Sequence, residues 1–229
     1  PWIHGAPDCG RARVASNYVE WQRVQFAVDT YVFRQNKCSN YEAPFVYLFV
    51  GSQRALLIDT GATQDGGSSL ASEIRAITKL PVVVAHSHGH GDHRAGDKVL
   101  KEEQGFTVVG IGPDAVQQFF GFEDWPKRAV NLELGGRNIE LLPIPGHNDD
   151  DIAYYDVASK VVVTGDSFYP GRLYIGSWQE YRASIDRLFK WLTPKKVEYI
   201  LGTHIEMSNV ADADYPIGTT YQPDESSLV

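Results

Sequence analysis

Four of the seven histidines, His86, His88, His90 and His93, stand within one short stretch that also holds Asp92. Imidazole nitrogen and carboxylate oxygen are the usual donors for zinc and related first-row metals. Gly89 and Gly91 between them let the backbone wind closely around an ion. A solvated histidine-rich loop is the bland alternative, and the interleaved aspartate and glycines argue against it. Donors on neighbouring residues diverge, so a single ion cannot take all of them without strain. Two ions sharing the stretch relieve this, and further donors must then come from elsewhere in the chain. His147 in Pro145-Gly146-His147-Asn148, Asp166 in Thr164-Gly165-Asp166-Ser167 and His204 in Gly202-Thr203-His204 are the candidates.

Each of these donors follows an apolar run of strand length, the place where sites collect in layered α/β folds. The pattern predicts strands at residues 24–33, 45–50, 55–59, 82–84 and 107–110. It predicts more at 130–134, 139–144, 152–155, 161–164 and 197–201. Helices are expected at 70–78, 97–104, from Pro113 onward, and at 178–192, where Tyr181, Ile185, Leu188, Phe189 and Leu192 share one face. Residues 61–69 read as a polar, glycine-rich loop, and Gly135-Gly136 as a hairpin turn. Strand–helix–strand order occurs once in each half, which suggests two similar halves packed face to face. We therefore expect one domain over residues 1–229, with an N-terminal arm and first strand at 1–44. The tail at 208–229 is expected to lie over the surface or to be disordered.

The net charge of -8 disfavours nucleic-acid backbones, and no nucleic-acid partner is expected. Lys195, Lys196, Arg187 and Lys190 read as a solvated helix face rather than a basic patch. No apolar run is long enough for a membrane span. Cys9 and Cys38 lack metal-ligand spacing. They form either a disulfide that pins the arm or two unrelated thiols. A chain starting at Pro1 with such a disulfide suggests an exported protein, periplasmic or secreted, whose leader has been removed. A chain boundary and a cytoplasmic protein are the alternative. The oligomeric state is not legible.

Leu57-Ile58-Asp59-Thr60-Gly61, His88-x-His90-x-Asp92-His93, Pro145-Gly146-His147, Thr164-Gly165-Asp166 and Gly202-Thr203-His204 follow one another in a specific order. This series, spread over residues 45–206, resembles the metallo-β-lactamase-fold metallohydrolases. The resemblance implies a four-layer αβ/βα sandwich of two mixed sheets flanked by helices. It implies two zinc ions per chain, with iron or manganese as alternatives. One would be bound by His88, His90 and His147, the second by Asp92, His93 and His204, with Asp166 bridging and Asp59 orienting the histidine loop from behind. His86 and His4 fall outside this pattern.

The reaction implied is hydrolysis of an ester, thioester, lactone or amide in a small-molecule substrate, by water that the metals activate and Asp92 deprotonates. Tyr169 or Tyr174 is expected to donate to the developing oxyanion. Phe119, Phe120, Phe122 and Trp125 are expected to wall an apolar pocket. Asp166 points to the glyoxalase II and lactonase type. A β-lactamase proper and a mononuclear-iron oxidoreductase resembling the persulfide dioxygenases are the competing readings.

Overall fold

Residues 45–50 are apolar at every position because the strand they form is covered on both faces. The computed structural model describes residues 2–228; the expectation concerning Pro1 lies outside them. In it, Phe45, Tyr47 and Phe49 enter one core and Val46 and Leu48 another. The two-residue side-chain period of a strand produces this division.

The first sheet runs in the order β1 (Trp21–Ala27), β2 (Thr30–Gln35), β3 (Phe45–Val50), β4 (Ala55–Ile58), β5 (Val82–Ala85) and β6 (Phe106–Val108). Its first four strands are antiparallel neighbours, and β4, β5 and β6 are parallel. The second sheet holds β7 (Val130–Glu133), β8 (Asn138–Pro143), β9 (Ile152–Asp156), β10 (Val161–Gly165) and β11 (Tyr199–Gly202). It is an antiparallel meander closed by a parallel β10–β11 pair. Phe45, Tyr47 and Ile58 of the first sheet share the middle core with Ile139, Tyr154 and Val163 of the second.

Helices cover the outer faces. Of α1 (Cys9–Arg13), α2 (Gln64–Ile77), α3 (Gly91–Arg94), α4 (Asp97–Glu102), α5 (Pro113–Phe120) and α6 (Trp178–Leu192), α2 and α4 pack Leu70, Ile74 and Leu100 on Leu48, Leu57 and Val84. On the other side, Leu188 of α6 packs on Leu142, Ile144 and Ala153. The result is the helix–sheet–sheet–helix sandwich the sequence implies.

Two elements differ from expectation. The run 24–33 is a hairpin, not one strand: Ala27 pairs with Thr30, and Asp29 takes the left-handed backbone (φ 51°) that Asp tolerates in tight turns. The glycine-rich run 61–69 is largely helix. Thr63 caps α2 by accepting from the Gly66 amide, and the glycines serve close packing: a Cβ on Gly67 would stand 2.8 Å from the Gly96 Cα.

Topology puts the donors on one edge. Strands β4 and β5 end there, as do β8, β10 and β11, which share one direction in the second sheet. Backbone bonds join the sheets at this edge, from the Phe45 amide to the Thr203 carbonyl (2.8 Å) and from the Ile152 amide to the Ser87 carbonyl (2.9 Å). Away from it, Arg137 pairs with Asp156 at 2.6 Å and donates to the Asp29 and Val50 carbonyls.

The termini are fastened as well. A disulfide joins Cys9 to Cys38. The tail lies against the arm through bridges between Gly5 and Tyr221 and between Ser208 and Glu225. Glu225 is buried and receives both terminal nitrogens of Arg34 at 2.5 Å. No helix among the described residues is long and apolar enough to cross a membrane.

Candidate metal centre

His88, at the end of the β5 segment, is nearly inaccessible, and His90 caps the single turn α3 that carries Asp92 and His93. The turn is why neighbouring donors part company. His88 and His90 face His147, whereas Asp92 and His93 face His204. His88 Nε2 lies 2.9 Å from His90 Nδ1 and 3.2 Å from His147 Nε2, and His147 Nε2 lies 3.0 Å from His90 Nδ1. In the second group, His93 Nε2 lies 3.1 Å from Asp92 Oδ2 and 3.3 Å from His204 Nε2, which is 3.3 Å from the same Asp92 oxygen.

Asp166 stands between the groups. Its Oδ2 is 3.6 Å from both His93 and His147 and 3.9 Å from His88, and its Oδ1 is 3.4 Å from His204. The Thr203 hydroxyl donates to Oδ1.

The outward nitrogens fix the tautomers. His147 Nδ1 donates to the Tyr174 carbonyl at 2.5 Å, and His204 Nδ1 to the Glu42 carbonyl at 3.0 Å. His93 Nδ1 donates to Asp59 Oδ2 at 3.0 Å. These partners only accept, so a neutral ring in each case presents its Nε2 lone pair to the centre. Lone pairs aimed at one another need a proton or a cation between them. Four donors around a zinc ion at about 2.0–2.1 Å would stand about 3.3 Å apart. The ring-nitrogen separations found here come near that value, and the donor set fits a divalent metal.

Asp59 is buried at the end of β4 in left-handed backbone (φ 69°). It also accepts from the Ser87 amide at 2.7 Å and the Ser87 hydroxyl at 2.8 Å. One carboxylate thus holds both the entry to the histidine loop and the His93 ring.

The charge balance has the same source. Burial alone would raise Asp166 and Asp92, but His204 and His93 hold both well below the usual carboxylate range. Burial alone would lower His93 and His204. Asp166 and Asp92 outweigh it, lifting His93 well up and His204 to about 9. His88 and His147 move down, through burial first. The carboxylates demand positive charge at the centre, which protons supply when no metal does.

A family model for the metallo-beta-lactamase superfamily matches residues 41–204. The chain belongs to this superfamily. Hydroxyacylglutathione hydrolase from Hyphomonas neptunium is 26% identical over 197 residues, covering 85% of this chain and 72% of that protein. The protein of the same name from Methylococcus capsulatus is 32% identical over 108 residues, covering 46% of this chain and only 42% of its own length. The solved metallo-beta-lactamase from Pontibacter korlensis shares the fold, with a TM-score of 0.64 at 19% identity over 80% of this chain and 91% of that one. The chain thus has the superfamily's fold and belongs with its metal-dependent hydrolases.

Some expected residues lie elsewhere. Tyr169 reaches the cavity beside the centre, but its hydroxyl has one proton and gives it to the Arg172 carbonyl or to Glu206 Oε2, 3.0 Å away. It is not free to donate to an oxyanion. Tyr174 lines the cavity with its side chain half exposed. Phe122 is buried in the middle core, with Phe120 and Trp125 packed against it, and Phe119 stacks edge-on against Phe120. These aromatics do not line the cavity, whose apolar wall comes from Tyr41, Tyr174, Ile205 and Ile217. His86 binds Asp97 at 2.9 Å and His4 binds Glu225 at 2.9 Å.

Sequence reasoning missed two carboxylates in this superfamily scaffold. Asp150 accepts from the Gly89 and Gly112 amides at 2.9 and 2.6 Å. Asp151 accepts from the His147 and Asn148 amides at 3.0 and 2.7 Å. The run Asn148-Asp149-Asp150-Asp151, directly after His147, was the available signal.

Proposed function

We propose that this chain is a hydrolase with two divalent metal ions, zinc by preference, that cleaves an ester, thioester, lactone or amide bond. The observation that carries the proposal is the pair of three-donor groups with Asp166 between them. His88, His90 and His147 would hold one ion, Asp92, His93 and His204 the other, and Asp166 both. Bound there, such ions would lower the pKa of water to about 7 and polarise the bond to be cleaved. The chain's own residues do the rest. Asp92 is the partly exposed carboxylate on the cavity wall, placed to take the proton of the attacking water and pass it to the leaving group. Tyr174 is the tyrosine left to donate to the oxyanion. Asp59, Glu42 and the Tyr174 carbonyl keep three rings from turning.

Two of the relatives named above are hydroxyacylglutathione hydrolases by name, which supports the thioester and ester members of this class. The Cys9–Cys38 disulfide supports export, because such bonds persist in oxidising compartments. The test is turnover of ester, lactone, thioester and β-lactam substrates before and after chelation. Turnover that chelation abolishes and zinc restores is expected. One iron per chain with oxygen uptake instead of hydrolysis would replace this reading by an oxidoreductase.

A further inference from the structure

The cavity beside the centre has a volume of about 340 Å³ and is lopsided in charge. Among the described residues lining it, Lys37 is the one lysine or arginine. Its side chain is 2% exposed, and its ammonium is engaged by Glu225 at 3.3 Å and the Tyr41 carbonyl at 3.4 Å. Arg172, in the neighbouring loop, is paired with Asp214 at 3.2 Å and bonded to the side chain of Tyr174. Against them stand two carboxylates outside the proposed ligand set, Glu42 and Glu206.

Three part-exposed apolar or aromatic side chains also line the cavity. They are Tyr41, Tyr174 and Ile217, the last 66% exposed. Ile217 belongs to the tail, which is not free to turn it away: the Met207–Asp214 and Ser208–Glu225 bridges and the Arg34–Glu225 pair anchor the segment on both sides. Ile217 and Lys37 lie outside residues 41–204, so these two are additional to the superfamily match, whereas Tyr41 and Tyr174 lie within it.

We infer that the cavity takes an acyl substrate whose arm is uncharged and apolar, laid between Tyr41, Tyr174 and Ile217, and that it discriminates against carboxylate-bearing arms. The inference rests on the hydrolase reading and narrows its substrate class. An apolar arm gains by leaving water against these three side chains. A carboxylate arm must approach Glu42 and Glu206 with no side-chain cation free of a carboxylate partner to meet it, and such like-charge approach is how sites reject wrong ligands. Glutathione thioesters, with two carboxylates in the leaving group, fall on the disfavoured side.

Calorimetric titration of the metal-loaded protein tests this, with a hexyl-armed δ-lactam and the same lactam with a carboxylate ending its arm. The uncharged lactam is expected to bind about tenfold more tightly or better. In Ile217→Lys the difference should shrink to about threefold or less, because the substitution puts an ammonium at a position that lines the cavity. Ile217 is exposed, so this variant keeps its core. Equal or tighter binding of the carboxylate, an unchanged difference in Ile217→Lys, or binding of neither lactam overturns the inference. Turnover of the two matching lactones separates the two claims. Discrimination in binding with no turnover sinks the hydrolase reading, whereas turnover without discrimination sinks only the inference.

Discussion

Asp59 holds three donors with one carboxylate, and each is a group whose geometry matters for metal binding. Asp59→Asn puts an N–H₂ where an acceptor is needed, so either the Ser87 contacts or the His93 ring loses its partner. We expect metal affinity to fall about 10–100-fold, read by competition with a chromogenic chelator. His204 supplies a second prediction. Its pKa is near 9 in the metal-free fold, against about 6.5 in the unfolded chain. A raised value stabilises the fold fully below about pH 6.5 and loses that contribution as the pH rises through 9. Metal-free protein should therefore lose stability to denaturant between pH 7 and 10. The metal-loaded protein should not follow this trend, since its His204 holds no proton to lose. Loading zinc at pH 7 should release at least one proton, measurable by calorimetry in buffers of different ionisation enthalpy. The donors were legible in the sequence because His and Asp beside glycine at strand ends are uncommon side chains in telling places. The Glu42 and Tyr174 carbonyls that orient His204 and His147 were not, because a backbone carbonyl has no residue type to read.

The elements act as a frame whose precision comes from close contacts. Helix α2 lies against the Gly96 turn that follows the histidine loop, and Gly67 is where the two backbones meet. Gly67→Ala would set a methyl group against backbone that cannot step aside. The expected cost is about 1–3 kcal/mol in a denaturant titration, with weaker metal retention because the turn carrying His93 is pushed. Helix α6 was legible to the residue, since a long amphipathic period with a capping serine and a following proline leaves little choice. The β1–β2 hairpin was not. Its turn carries only Val28 and Asp29 inside an apolar run, and apolar content alone does not mark a reversal. The start of α2 was hidden for the opposite reason, because Gly66 and Gly67 read as loop until their neighbours are seen.

At the scale of the whole molecule, arm and tail close the cavity from outside the sandwich. Their anchor is the buried group of Arg34, Lys37 and Glu225. Glu225→Ala would leave Arg34 and Lys37 buried without their acid. Breaking such a pair costs about 3–5 kcal/mol, and the tail should become the first site of protease cleavage. The alternation of strands and helices gave two similar halves packed face to face, and the resemblance carried by the motif series implied the four layers. The course of the tail was not, because its composition is that of a loop and its fixing partner, Arg34, lies 191 residues away.

Metal content per chain decides the central claim, measured by elemental analysis on the protein and on Asp166→Ala, each loaded with zinc and freed of excess. Two ions per chain are expected in the parent, and fewer in the variant, with turnover lowered at least about a hundredfold. A parent that hydrolyses its substrate without metal, or an Asp166→Ala protein that keeps both ions and full turnover, would contradict the account.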